Sequence, residues 1–325
     1  MTYLEMLLVA CQIVFNILCT LCIMFDVVLF LSVIKQRFYT SSTNKTPFVY
    51  ITFMTFSGVI GKLADYFMVN SWPIGDWIDP VNGYQAYRQL LGKIMTLIAT
   101  LCYLTEIFLN WLMTIHRVSI LLSPAKGPAW FTDGKLFVYC SMLVIGLLVT
   151  LIIPYYSPCY VNFNAVTSLH ETGCAPNKHP LTRFQNLYLI WVPFSAVILN
   201  VAMILWIKIA RRFSKRQSNL SAATIQRENS MIRQACFIAF YLSFFEFGYM
   251  MMRFYPERFN SFPQEIQSVT YLLRLFAIAS LNFFVYYVQT SSTKTLVLKY
   301  IGWKQKNSIT VSPSSVSTNR AKRNA

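Results

Sequence analysis

Charge is what this chain has least of. Of its 325 residues only 12% are Asp, Glu, Lys or Arg, against roughly 25% in ordinary soluble domains. With 55% hydrophobic residues and a mean hydropathy of +0.47, the apolar surplus is too large for one or two water-facing cores, which excludes a soluble globular protein. Acidic residues are scarcer still, 12 against 28 Lys and Arg, for a net charge of +16. Such a balance suits nucleic acid only where the cations form a solvated face. Here they lie scattered between long apolar runs, so nucleic acid is not an expected partner. Histidine is limited to His116, His170 and His179, which gives no His-rich metal set inside an apolar run, and no Gly-x-Gly-Asp stands for an aspartyl protease. No catalysis and no cofactor are expected. Eleven glycines and no visible repeat give little support to the broken half-helices of transporters. A membrane transporter or ligand-gated channel remains the alternative reading.

What the chain has in abundance is apolar runs of bilayer length. About 20 apolar residues at about 1.5 Å each cross the hydrocarbon, and a helix satisfies its own backbone there. Seven segments qualify: about Leu7 to Ile34, Phe48 to Val69, Ile94 to Ile115, Leu136 to Tyr156, Leu187 to Ile207, Gln234 to Met252 and Ser268 to Gln289. The first has no basic leader and holds Asp26, so it reads as a retained span and not a signal peptide. The expected fold is an all-α seven-helix membrane bundle over residues 1–306, followed by a disordered tail over 307–325.

The loops orient it. Segments 35–46, 116–135, 208–233 and 291–325 hold 20 basic and 2 acidic residues, and the alternate set 1–6, 70–90, 158–185 and 253–267 holds 5 and 6. The positive-inside bias then places the N-terminus outside and the C-terminus in the cytosol. Six cysteines lie in spans, whereas Cys159 and Cys174 share one outer loop. In an oxidising compartment they are expected to form a disulfide closing roughly 15 residues; two free thiols are the alternative. His170, Cys174 and His179 would suit zinc only if Cys174 were free.

Ionisable residues within spans mark candidate sites, because burying them costs several kcal/mol unless they are paired or hydrated. Counted from the basic-loop ends, Asp26 lies roughly 13 Å deep, Glu106 roughly 16 Å, and Lys62, Glu246 and Arg274 about 20 Å, with Asp65 higher. Lys62 and Asp65, three positions apart, are expected to pair on one helical face. Glu246 and Arg274 share a depth on consecutive spans and are expected to pair across helices. Glu106 has no basic partner at its own depth. These five residues are the candidate walls of a ligand-receiving polar cavity, the alternative being that the pairs only fix helix register.

Span three ends Leu112-Met113-Thr114-Ile115-His116-Arg117-Val118-Ser119-Ile120-Leu121, then Pro124. An Arg at the inner membrane face, followed by an apolar turn and a Pro, resembles the third-helix end of rhodopsin-like G-protein-coupled receptors. It is more specifically similar to the nematode serpentine chemoreceptors of the SRG superfamily, and the continuation through Trp130-Phe131-Thr132-Asp133 points to class xa. Pro193, Asn200 and the loop cysteines fit the same picture. The resemblance implies that Arg117 contacts a heterotrimeric G protein and that an extracellular small molecule or peptide is the ligand. It also implies a plasma-membrane location, in sensory cilia. His116 stands where many receptors carry an acid or Asn. Asn282-Phe283-Phe284-Val285-Tyr286 keeps the spacing of the Asn and Tyr in the rhodopsin-like motif but replaces its Pro, so Asn282 and Tyr286 are candidate switch residues. No Cys starts span three, span six lacks the Trp and Pro of the toggle, and span three has no acid high up.

Arg211, Arg212, Lys215 and Arg216 extend span five into a basic loop resembling a G-protein docking surface, although stop-transfer and anionic-lipid roles explain the same charges. Residues 294–303 alternate Lys with Leu, Val, Tyr, Ile and Trp, as an interfacial helix lying under the bilayer would.

Overall fold

The computed structural model describes residues 3–39, 48–74, 79, 81–123, 127–164, 169–175, 177–213, 236–237, 239–241, 243–244, 255, 258–259, 261–283 and 291–302. Helix α1 (Tyr3–Tyr39) and helix α2 (Phe48–Asn70) are followed by a 3-10 turn at Trp72–Ile74. The Val81 and Asn82 amides donate to Asp79, holding its carboxyl below the usual range. Helical turns at Gly83–Tyr87 and a π-helical turn at Arg88–Gly92 then lead into α3 (Lys93–Leu122). A short turn of helix at Gly127–Trp130 precedes α4 (Asp133–Tyr155). Strands β1 (Val161–Asn164) and β2 (Leu169–Thr172) come next. Helices α5 (Pro180–Tyr188), α6 (Trp191–Phe213), α7 (Gln264–Phe283) and α8 (Ser291–Tyr300) complete the described elements.

The bundle centres on α3, whose buried residues include Thr96, Glu106, Leu109, Asn110 and Thr114. It packs most extensively against α2, and α1 packs against both α2 and α7. A Cβ on Gly61 would lie 2.9 Å from the Cys102 Cβ, so the glycine is what lets α2 and α3 approach this closely. By contrast, α4 leaves Phe137, Met142, Ile145, Val149 and Ile153 exposed. In a membrane these are lipid contacts and need no protein cover. Among the described residues, four helical stretches reach span length and hydropathy by composition: Met6–Lys35, Gly83–Leu122, Asp133–Tyr155 and Pro180–Trp206.

The structure departs from the expected all-α architecture in the loop between α4 and α6. There β1 and β2 pair antiparallel with Phe163 opposite His170, and the Cys159–Cys174 disulfide closes the base with Cα atoms 4.7 Å apart. Four-residue strands of mixed polarity carry too little alternation to stand out beside the spans. Just beyond, α5 begins with Pro180 at its first turn, and His179 Nδ1 accepts from the Leu181 amide at 3.2 Å. The chain then turns at Leu189 and Ile190 before α6. Span five, expected from Leu187, therefore begins as two helices. At the opposite end α8 docks back on α1, with Val297 buried and Lys35 over the Tyr300 ring at 5.2 Å. The sixth expected span falls largely outside the described residues.

Candidate functional site

At the hairpin end a cavity of about 150 Å³ opens between the helices. Asp65 and Met68 of α2 and Thr100 and Tyr103 of α3 form one side. Tyr271, Arg274 and Ile278 of α7 face them, and Thr182, Gln185 and Asn186 of α5 close a third side. Val161, His170 and Thr172 of the hairpin, Tyr155 of α4 and the loop residue Lys178 complete the lining. The Arg274 guanidinium lies over the Tyr103 ring at 5.5 Å, a cation–π contact between two lining residues of the cavity. Asp65 interacts electrostatically with both Lys62 and Arg274.

The hairpin is seated over this cavity by polar contacts that converge on α3. Thr96 Oγ1 donates to Gly92 O at 2.7 Å and accepts from the Phe163 amide at 3.2 Å. The Asn162 amide nitrogen donates to Arg88 O at 2.5 Å, and Arg88 pairs with Glu171 at 2.7 Å. Tyr84 bonds Asn164. On the α7 side, His170 Nε2 and the Tyr271 hydroxyl are 2.6 Å apart, and Phe163 stacks on the Tyr271 ring with centroids at 5.3 Å.

Deeper in the bundle the charges assort differently from the sequence expectation. Lys62 Nζ donates to Asp26 at 2.5 Å, with side chains 4% and 1% exposed, in place of the expected Lys62–Asp65 pair. The lysine's flexible four-carbon stem lets its head reach well away from its backbone level, so a comparison of Cα depths did not match it to Asp26. Glu106, expected to lack a cation, is an electrostatic neighbour of Lys62. Of the five candidate ligand residues, Asp65 and Arg274 line the cavity. Lys62 and Glu106 are buried and do not line it, and Glu246 lies outside the described residues.

At the far end of α3, His116 stacks on Phe131 at 4.3 Å and lies 5.9 Å from the Tyr50 ring, while Arg117 donates to Met113 Sδ at 3.5 Å. Asn200 donates to Thr114 Oγ1 at 3.2 Å and Trp111 to Ser195 Oγ at 3.1 Å, fastening α6 to α3. The backbones of Arg211, Arg212 and Asn282 are helical; Lys215, Arg216 and Tyr286 lie outside the described residues. Of the possible zinc set, Cys174 is in the disulfide, His179 caps α5 and His170 bonds Tyr271. Sequence reading missed Tyr103, Tyr155, Tyr271 and the α5 residues of the cavity. Nothing in the order of such residues separates a cavity wall from an interfacial aromatic.

The crystal structure of squid rhodopsin superposes on this chain with a TM-score of 0.63 at 14% identity, covering 89% of this chain and 85% of rhodopsin's. The fold is the rhodopsin fold. In sequence, residues 45–201 match the family model described as Caenorhabditis serpentine receptor-like protein, class xa. Serpentine receptor class XA 10 of Caenorhabditis elegans is 26% identical over 312 residues, covering 86% of this chain and 90% of that protein. The matched stretch runs from the start of α2 into α6, and so includes the C-terminal end of α3, the hairpin and α5. The structural likeness shows the fold, and both sequence matches are to proteins described as serpentine receptors.

Proposed function

We propose that this chain is a plasma-membrane, G-protein-coupled chemosensory receptor. Its N-terminus and hairpin face outside, its C-terminus and basic loops face the cytosol, and an extracellular small molecule enters the cavity beneath the hairpin. The observation that carries this reading is the cavity itself. It presents opposite charges, Asp65 and Arg274, at the end of the bundle opposite to the basic loops, with walls from α2, α3, α5, α7 and the hairpin. A solute held there touches elements that continue to the other face, and can therefore shift the balance between two arrangements of the bundle. Support for G-protein coupling comes from the similarity to serpentine receptors and from the end of α3, where Arg117 is half-buried next to His116. In this reading Arg211, Arg212, Lys215 and Arg216 flank the docking face, and Asn282 and Tyr286 take part in the switch. Neither SRG-superfamily membership nor ciliary location is needed for it.

The test is Arg117→Ala in cells carrying a promiscuous G protein. Constitutive or ligand-evoked signalling is expected to fall to background at unchanged surface expression. Normal signalling by the variant would remove Arg117 from the mechanism. An ionic current that persists when G proteins are depleted would favour the channel alternative.

A further inference from the structure

We infer that the cavity takes a small zwitterion, a free amino acid or an amine of similar size bearing an acid group, and not an apolar volatile, a lipid or a peptide. The inference rests on the reading of this cavity as the ligand site and narrows its occupant.

Size sets the first limit. About 150 Å³ matches the engineered protein cavity that holds benzene, so the occupant has roughly six to ten heavy atoms. A peptide does not fit in that space. Polarity sets the second. The lining carries Asp65, Arg274, Lys178 and His170, together with the amides of Gln185 and Asn186. An apolar occupant offers neither hydrogen bond nor charge to so polar a lining, whereas a polar solute offers both.

The arrangement of charge sets the third. Asp65 on α2 and Arg274 on α7 face one small space and interact with each other. A solute with one charge engages one of them and offers nothing to the other. A solute with an ammonium and a carboxylate a few bonds apart places the ammonium on Asp65 and the carboxylate on the Arg274 guanidinium, whose planar fork suits a carboxylate. Lys178 lines the same cavity as a second cation. One small molecule thereby bridges α2 and α7.

The experiment uses the full-length chain in lipid nanodiscs and a matched probe panel read by thermal unfolding and equilibrium dialysis. The panel holds free amino acids of six to ten heavy atoms, each beside its decarboxylated amine, its deaminated acid and the corresponding alcohol. At least one amino acid is expected to bind saturably while its amine, acid and alcohol bind about tenfold more weakly or worse. Asp65→Asn and Arg274→Gln are each expected to weaken it by a similar factor. Binding of single ions or alcohols as tightly as the amino acid, or no amino acid binding at all, overturns the zwitterion inference. That result can be reached on the unaltered receptor even if a variant misfolds. Thr100→Trp separates the two layers of the argument. If it abolishes binding of whichever probe binds, the cavity reading stands; if an amino acid binds Thr100→Trp as tightly as the parent, the site lies elsewhere and that reading falls.

Discussion

Lys62 is enclosed among helices with its ammonium on Asp26. Removing the lysine leaves a carboxylate in low dielectric. Lys62→Met is therefore expected to cost about 3–5 kcal/mol, whereas Lys62→Met with Asp26→Leu removes both charges and recovers most of it. Thermal unfolding of the two variants in the same detergent decides: equal loss in both would mean the pair itself carries no coupling. The residue scale is also where sequence reading succeeded and failed most sharply. All four described candidates, Lys62, Asp65, Glu106 and Arg274, were conspicuous because ionisable groups are rare in spans. The Asp26 partner of Lys62 was missed because a lysine head and its Cα lie at different depths, and Glu246, expected to pair with Arg274, falls outside the described residues. Asp65 was matched to Lys62 three positions away, which is its larger electrostatic neighbour, and Arg274 from another helix is the neighbour that was not foreseen.

Among the elements, the α2–α3 contact and the hairpin set the shape of the cavity. Gly61→Ala introduces a Cβ 2.9 Å from the Cys102 Cβ, which no side-chain rotation relieves. An expected cost of about 1–3 kcal/mol follows from overpacking, and Cys102→Gly in the same chain should restore part of it. A Gly61→Ala variant as stable as the parent would show that the two helices separate freely. At the hairpin, Gly173 sits where a Cβ would come within 2.6 Å of Pro158 O, next to Cys174. Replacing Cys159 and Cys174 by Ser is expected to lose about 3 kcal/mol in the chain-entropy model and to weaken any ligand that needs His170 in place. Mild reduction of the parent chain should reproduce both effects. The helices of this level were legible from apolar length alone. Neither the strands nor the break between α5 and α6 was, since short polar-apolar mixtures take their structure from the Thr96, Arg88 and disulfide contacts that hold them.

For the molecule as a whole, the net charge of +16 resolves into a polarity. The four basic segments together carry a net +18, the four alternate segments −1 and the spans −1. This asymmetry predicts the orientation. An epitope added before Met1 should label in intact cells, and one added after Ala325 only after permeabilisation; the reverse pattern would invert every functional assignment made to the two faces. The bundle type was readable from the order of apolar runs, and the rhodopsin superposition bears it out. The cavity was not readable, because it is assembled from α2, α3, α7 and the α4–hairpin–α5 stretch and depends on how they tilt.

The Asp26–Lys62 pair has a further bearing on how the chain enters its membrane. Helix α2 carries both Lys62 and Asp65 inside its apolar length, and each of these charges is costly to place alone in hydrocarbon. The partner that neutralises Lys62 lies on the segment made just before it, so the insertion machinery receives the counter-ion first. The second span can then partition as one half of a helical hairpin already carrying its salt. Biogenesis, and not only the finished receptor, would then depend on Asp26.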